Sequence, residues 1–207
     1  MVVHEAGSAR ADRASAQRRG ARVTEEELGA LLVERALLEG DFVLRSGRRS
    51  TWYLDKYRFE TDPELLRALG ARIAEAVAAY EPKAIRLAGP ALGAVALAAS
   101  ASMASGRPFI IVRGETKEYG TANRIEGPFE PGELVCLVED VVTSGGALGE
   151  AVSALRDEAL VVRTAVCVVD REEGGSDALA RLGVRLRPLF RAGDLVEMRK
   201  TAAKRHG

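Results

Sequence analysis

The sequence predicts an α/β fold, a mostly parallel central sheet with helices on both faces. Three observations carry this. After Pro82 short apolar runs alternate with helix-like segments, the pattern of parallel strands joined by crossover helices. Hydrophobic residues make up 47% of the 207, enough for a substantial core in one domain. One apolar run, Leu134–Val138, leads into Glu139-Asp140 and a Thr-Ser-Gly-Gly turn that opens a helix. Such a turn belongs at the carboxyl end of a parallel strand, where ligands bind.

Residues 1–22 are rich in Ala, Arg, Ser and Gly and almost lack large apolar side chains; a disordered tail is expected, without a signal-peptide core. Residues 23–207 are expected to form one domain. Thr24 and Glu27 have capping-box spacing, and Leu28, Leu31, Leu32 and Leu38 mark a helical face that Gly40 would end. Phe42–Leu44 and Trp52–Leu54 read as short strands around a basic turn, Arg45 to Ser50. Asp62-Pro63 opens a helix whose face carries Leu65, Leu66, Leu69, Ile73 and Val77. Next come a strand at Ala84–Ala88, a small-residue helix at Gly93–Ala104 and a strand at Phe109–Val112. Gly114 to Pro131 is polar and long for a connection, as lids often are, although a mobile hairpin without a role has the same composition. After Leu134–Val138 and the acidic turn come a helix from Leu148 to Arg156, a strand at Leu160–Val169, a helix around Ser176–Leu182, a strand at Val184–Leu186 and a helix near Ala192–Arg199.

Composition excludes several classes of chemistry. Thirty basic and thirty acidic residues balance to a formal charge of zero, so nothing draws the whole chain to nucleic acid or membrane. No apolar run approaches the ~20 residues that span a bilayer. Cys136 and Cys167 both lie in strand-like runs, so buried reduced thiols and a cytoplasmic location are expected. His4 and His206 are the only histidines, which leaves carboxylates, lysine, arginine, hydroxyls and backbone amides to do the chemistry. The P-loop and dinucleotide glycine motifs are absent.

The turn Thr143-Ser144-Gly145-Gly146-Ala147 can surround a phosphate with backbone N–H groups at a helix N-terminus. The carboxylates of Glu139 and Asp140 lie one step upstream, where the sugar or hydrated metal attached to that phosphate would sit. The local chemistry is that of a sugar-phosphate grip. An ordinary acidic strand-to-helix turn shares its parts but rarely their full order.

With these residues in view, the chain from Thr24 onward resembles the type I phosphoribosyltransferases, and within them the orotate-using members. Glu139 to Ala147 is similar to the family's phosphoribosyl-pyrophosphate (PRPP) signature. Arg113-x-x-x-Lys117-x-Tyr119-Gly120 resembles its catalytic lid motif. Ser46-Gly47-Arg48-Arg49-Ser50 before Trp52-Tyr53, Gly89-Pro90-Ala91, and Asp170-Arg171-x-Glu173-Gly174 resemble further family segments. The resemblance implies the family fold, with a small hood over residues 40–60 and a lid over 114–131. It implies transfer of a 5-phosphoribosyl group from PRPP to orotate, giving orotidine 5-monophosphate and pyrophosphate in pyrimidine (UMP) biosynthesis. Alternatives are a related transferase for another base and a non-catalytic PRPP sensor.

The resemblance also implies roles. Glu139 and Asp140 would hold the ribose hydroxyls, directly or through magnesium-bound water, and favour positive charge on the ribose. Val141, Val142, Thr143, Ser144, Gly145, Gly146 and Ala147 would line the 5-phosphate, with Ala91 and Tyr119 also at PRPP. Arg113 and Lys117 would neutralise the departing pyrophosphate, Lys117 reaching the neighbouring subunit's site in a homodimer. Arg171 would pair with the orotate carboxylate, beside Thr143 and Arg45. Trp52 and Tyr53 would pack by the pyrimidine or fill the core. Mg2+ would bind through PRPP and water near the acidic pair, with no direct protein ligand expected. The chain departs from the family pattern at Gly93 and at Gly114-Glu115, where many relatives have lysine.

Overall fold

The structure, a computed structural model, describes residues 23–43, 47, 49–114 and 124–206. The expected tail at 1–22, half of the basic turn with Arg45, and the centre of the expected lid with Lys117 and Tyr119 lie outside the described residues.

Six strands form the main sheet: β3 (Arg86–Pro90), β4 (Phe109–Val112), β5 (Ile125–Glu126), β6 (Leu134–Val142), β7 (Val161–Asp170) and β8 (Arg185–Arg191), in the order β5-β4-β3-β6-β7-β8. All neighbours pair in parallel except β5, which runs antiparallel to β4. The predicted α/β class with a mostly parallel sheet is therefore what the structure has. β5, within the 114–131 stretch, is an edge strand antiparallel to β4, so part of that stretch is the arm of a hairpin, one of the two readings its composition allows.

β6 alternates between two cores. Cys136 and Val138 face one buried cluster, and Val135 and Leu137 the other. The first cluster takes in α1 (Glu25–Ala36), α3 (Pro63–Tyr80), α4 (Gly93–Ser105) and Leu195 of the last helix, α7 (Ala192–His206). The second takes in α5 (Gly146–Asp157) and Leu179 of α6 (Gly175–Arg181). A strand buried on both faces reads as a continuous apolar run, as Leu134–Val138 does. The small residues of α4 let it lie close to α3, where Ser100 Oγ donates to the Leu66 carbonyl at 2.8 Å.

The N-terminal part differs from expectation. The Thr24–Glu27 capping box is present, but α1 stops at Ala36. Leu38 is not on its face: it lies in β1 (Leu37–Val43), paired with Tyr53 of β2 (Arg49–Leu54). The leucine spacing fits a helix, but cross-strand pairing with Trp52–Leu54 takes Leu37 and Leu38 instead. A five-residue helix absent from the sequence reading, α2 (Lys56–Glu60), follows β2; the Asp55 carboxylate caps it by accepting from the Tyr57 amide at 3.2 Å. Phe59, fully buried, fixes α2 to the first core cluster.

Boundaries shift elsewhere by a few residues, and one shift matters. β6 continues through Val142, so Glu139 and Asp140 lie within a strand rather than on the turn after it. Because Phe59 is the α2 residue in the apolar core cluster, Phe59→Ala is expected to lower stability by about 3–5 kcal/mol, measured from the urea midpoint at constant slope.

Candidate active site

The site forms at the carboxyl ends of β6, β7 and β3. A cleft of 820 Å³ is lined there by Tyr53, Glu139, Val141, Val142, Thr143 to Leu148, Arg171 and Glu173, with Val43 and Glu150 at its edge. Tyr53 comes from β2, so the two-stranded sheet forms one wall.

The floor is the turn between β6 and α5. Gly145 adopts φ 80°, a left-handed conformation that glycine takes without steric cost, and no side chain caps α5. The first amides of a twelve-residue helix are thereby left to an outside acceptor. A second glycine pair braces the turn. A Cβ on Gly175 would overlap Val142 Cγ1 and stand 2.6 Å from the Thr143 carbonyl oxygen, while Gly145 meets the Gly175 backbone. The Arg171 amide donates to the Val142 carbonyl at 2.8 Å, which joins the ends of β6 and β7.

The acidic pair is almost fully buried. Glu139 is 8% exposed and Asp140 3%. Burial, reinforced by the charge of Asp140, pushes the Glu139 carboxyl up to about 8. Glu60, at the end of α2, is raised to about 8 as well, chiefly by burial and then by its hydrogen bond and charge interaction with Asp140. Asp140 is ion-paired with Lys56, Nζ to Oδ2 2.6 Å, and also accepts from the Val141 amide. Burial alone would lower the Lys56 ammonium, but the hydrogen bond and charge of Asp140 raise it.

Opposite the turn, the Arg171 guanidinium stacks on the Trp52 ring, 5.0 Å from its centroid, and lies 3.3 Å from Glu173. Its Nε is buried without a partner among the described residues. Trp52 packs against the first core cluster, and Tyr53, on the other face of β2, is exposed in the cleft beside Phe42. The two aromatics thus divide the alternatives left open by the sequence: Trp52 backs Arg171 from the core side, and Tyr53 faces the cleft.

The structure brings together Tyr53, Glu139, Val141 to Ala147 and Arg171 around one cleft, with Asp140 behind Glu139. Ala91 is exposed after β3, where the Ala91–Leu92 peptide is cis and the Ala91 amide donates to the Val112 carbonyl. Arg113 follows β4, with Glu126 at 3.7 Å. Neither Ala91 nor Arg113 lines the cleft among the described residues. Sequence reasoning missed Lys56 and Glu60. The signal was Asp55, a good N-cap just after the Trp52–Leu54 run, which makes Lys56 the first residue of a helix.

No family model matches the chain. The chain is 51% identical over 158 residues to the orotate phosphoribosyltransferase of Methanocella arvoryzae, covering 76% of this chain and 88% of that protein. It is 46% identical over 174 residues to that of Halobacterium salinarum, covering 84% and 97%. Among solved structures, orotate phosphoribosyltransferase from Aeropyrum pernix is similar at TM-score 0.74 and 34% identity, over 82% of this chain and 96% of that one. The Mycobacterium tuberculosis enzyme in complex with PRPP is similar at TM-score 0.70 and 29% identity, over 83% and 98%. With identity of this order across most of both chains, the protein belongs to the orotate phosphoribosyltransferase family.

Proposed function

We propose that the chain transfers the 5-phosphoribosyl group of PRPP to orotate, giving orotidine 5-monophosphate and pyrophosphate. The observation that carries this reading is one cleft that joins an uncapped helix N-terminus, a buried carboxylate pair and a stacked arginine. The amides of Thr143 to Ala147 would take the 5-phosphate. Glu139 and Asp140 would take the ribose hydroxyls. As the C1–O bond breaks, its electron pair leaves with pyrophosphate and C1 gains positive character, which the negative charge on the acidic pair favours. Orotate N1 then bonds to C1, with the orotate carboxylate on Arg171 and its ring beside Tyr53. Thr143, in the cleft lining, would meet both substrates. No enzyme nucleophile is required.

Arg113, Lys117, Tyr119 and Ala91 are proposed for the pyrophosphate side, and Arg45 for the space between the substrates. Among the described residues no group of three or more His, Cys, Asp or Glu side chains could hold a metal ion by itself, so the acidic pair suits contact through water. Mg2+ is therefore proposed to enter with PRPP and to be held by substrate oxygens and water near Glu139 and Asp140. Bound there, it would neutralise the diphosphate. A homodimer is proposed, each lid lysine serving the neighbouring site. Two buried free thiols, Cys136 and Cys167, suit a reducing compartment such as the cytoplasm.

The direct assay is loss of orotate absorbance on adding PRPP and Mg2+; turnover of another base with none of orotate would reject the reading. In the same assay Arg171→Ala is expected to raise the KM for orotate by roughly 10–100-fold, the worth of a charge-assisted contact, with the KM for PRPP little changed. Lys117→Ala and Asp140→Asn should each be nearly inactive, and mixing them should restore activity that neither has alone; a mixture as inactive as its parts rejects the shared site.

The buried carboxyls set a pH dependence of stability. Glu60 and Glu139 stand near 8 in the folded chain, above an ordinary value of 4.5, so the folded state holds more protons than the unfolded one. Their contribution is complete below about 4.5 and is lost as pH rises through about 8. Thermal melts of the free protein from about pH 6 to 9 should fall with pH, and Glu60→Gln should flatten the fall; a melting temperature that climbs over this range refutes the assignment.

A further inference from the structure

Lys56 belongs to none of the sequence motifs, yet its ammonium is paired with a carboxylate of the acidic pair. It opens α2, whose amides are capped by Asp55 and whose far end is anchored by Phe59. Its Nζ is 2.6 Å from Asp140 Oδ2, and its side chain is 33% exposed where that of Asp140 is 5% exposed. The ammonium is held by the carboxylate and also lies 5.4 Å from the centroid of the Tyr57 ring, with the side chain as a whole part exposed. The pair fills a space made by the backbone: a Cβ on Gly93, the first residue of α4, would overlap Asp140 Oδ2 and stand 2.6 Å from Lys56 Nζ. Glu60 lies one turn along α2, 7% exposed, with Oε1 unpartnered among the described residues. Among the described residues, the carboxyl groups of Glu60, Glu139 and Asp140 thus have one ammonium, that of Lys56, beside them.

We propose that Lys56 is a catalytic cation for the leaving group: it rests on Asp140 in the free protein and pairs with diphosphate oxygens when PRPP is bound. The inference rests on the functional reading above and extends it to one more residue. The shape of the substrate supplies the direction. With the 5-phosphate on residues 143–147 and the ribose hydroxyls on Glu139 and Asp140, the C1 diphosphate projects from the opposite end of the ring, past Asp140. Lys56 and the glycine-sided start of α4 lie on that side. A bound diphosphate offers the ammonium more negative charge than Asp140 does, and the freed carboxylate turns to a ribose hydroxyl. When the C1–O bond breaks, the electron pair passes to the pyrophosphate oxygen, and the ammonium stabilises the charge that gathers there. No proton or electron need be supplied from elsewhere.

The two reaction products separate this role from one exercised only through Asp140. Pyrophosphate carries the diphosphate without the ribose; orotidine 5-monophosphate carries the ribose and 5-phosphate without the diphosphate. Calorimetry on the full chain with Mg2+ and each product is the test, using Lys56→Met, which keeps the stem, and Lys56→Arg, which keeps the charge. The expected result for Lys56→Met is pyrophosphate affinity weaker by about 10-fold or more, as for loss of one charge-assisted contact, with nucleotide affinity within about twofold. Lys56→Arg should keep most pyrophosphate affinity, and thermal melts should show both variants folded. Parallel loss of both ligands in Lys56→Met would reduce Lys56 to a prop for Asp140, and unchanged pyrophosphate binding would remove it from the site; either overturns the proposal. A wild-type chain that binds neither product sinks the functional reading and this role with it, an outcome distinct from the other two.

Discussion

Two adjacent carboxylates are held inside the central strand of a sheet covered on both faces. Burying one carboxylate is costly, and burying two side by side is more so. The surroundings of β6 reduce that cost: Lys56 stands against Asp140, backbone amides donate to both side chains, and Glu139 and Glu60 take up protons. The short helix α2, the glycine start of α4 and the extension of β6 through Val142 all meet at this point. Among its described residues the free protein therefore holds a proton-loaded acidic cluster with one cation, Lys56, paired to it, a state that arriving charge can rearrange.

Much of the site was legible in the sequence because its parts are local. An apolar run, an acidic pair and Thr-Ser-Gly-Gly specify strand, site and helix start within fourteen residues, Leu134 to Ala147, and a helix N-terminus needs no distant partner to attract a phosphate. Arg171 was legible for the same reason, at the end of the next strand. The N-terminal third was less so. The leucines from Leu28 to Leu38 keep helical spacing, but Leu37 and Leu38 are taken by pairing with residues about sixteen positions away, a tertiary preference that no local period reveals. Lys56 was illegible because its importance lies in a contact across 84 positions.

Gly93 shows the same limit in reverse. Read along the chain, it was a lost basic group beside the pyrophosphate. In the fold, its missing side chain is the space in which the Lys56–Asp140 pair sits. A position that looks depleted in sequence is crowded in space, and the charge it lacks is present on another element.

The closure of the N-terminal part has a consequence for the order in which the protein can be made. α1 packs on α7, and Arg199 near the end of the chain donates to the Leu37 carbonyl and pairs with Glu39 at 2.6 Å. Phe190, Leu195 and Met198 supply apolar surface to the cluster that also holds Leu28 and Leu32. During synthesis from the N-terminus, α1 and the strand pair that walls the cleft wait for the helix that carries Arg199, 162 positions after Leu37, to complete their core. The cleft's first wall thus becomes secure only after the main sheet has been made.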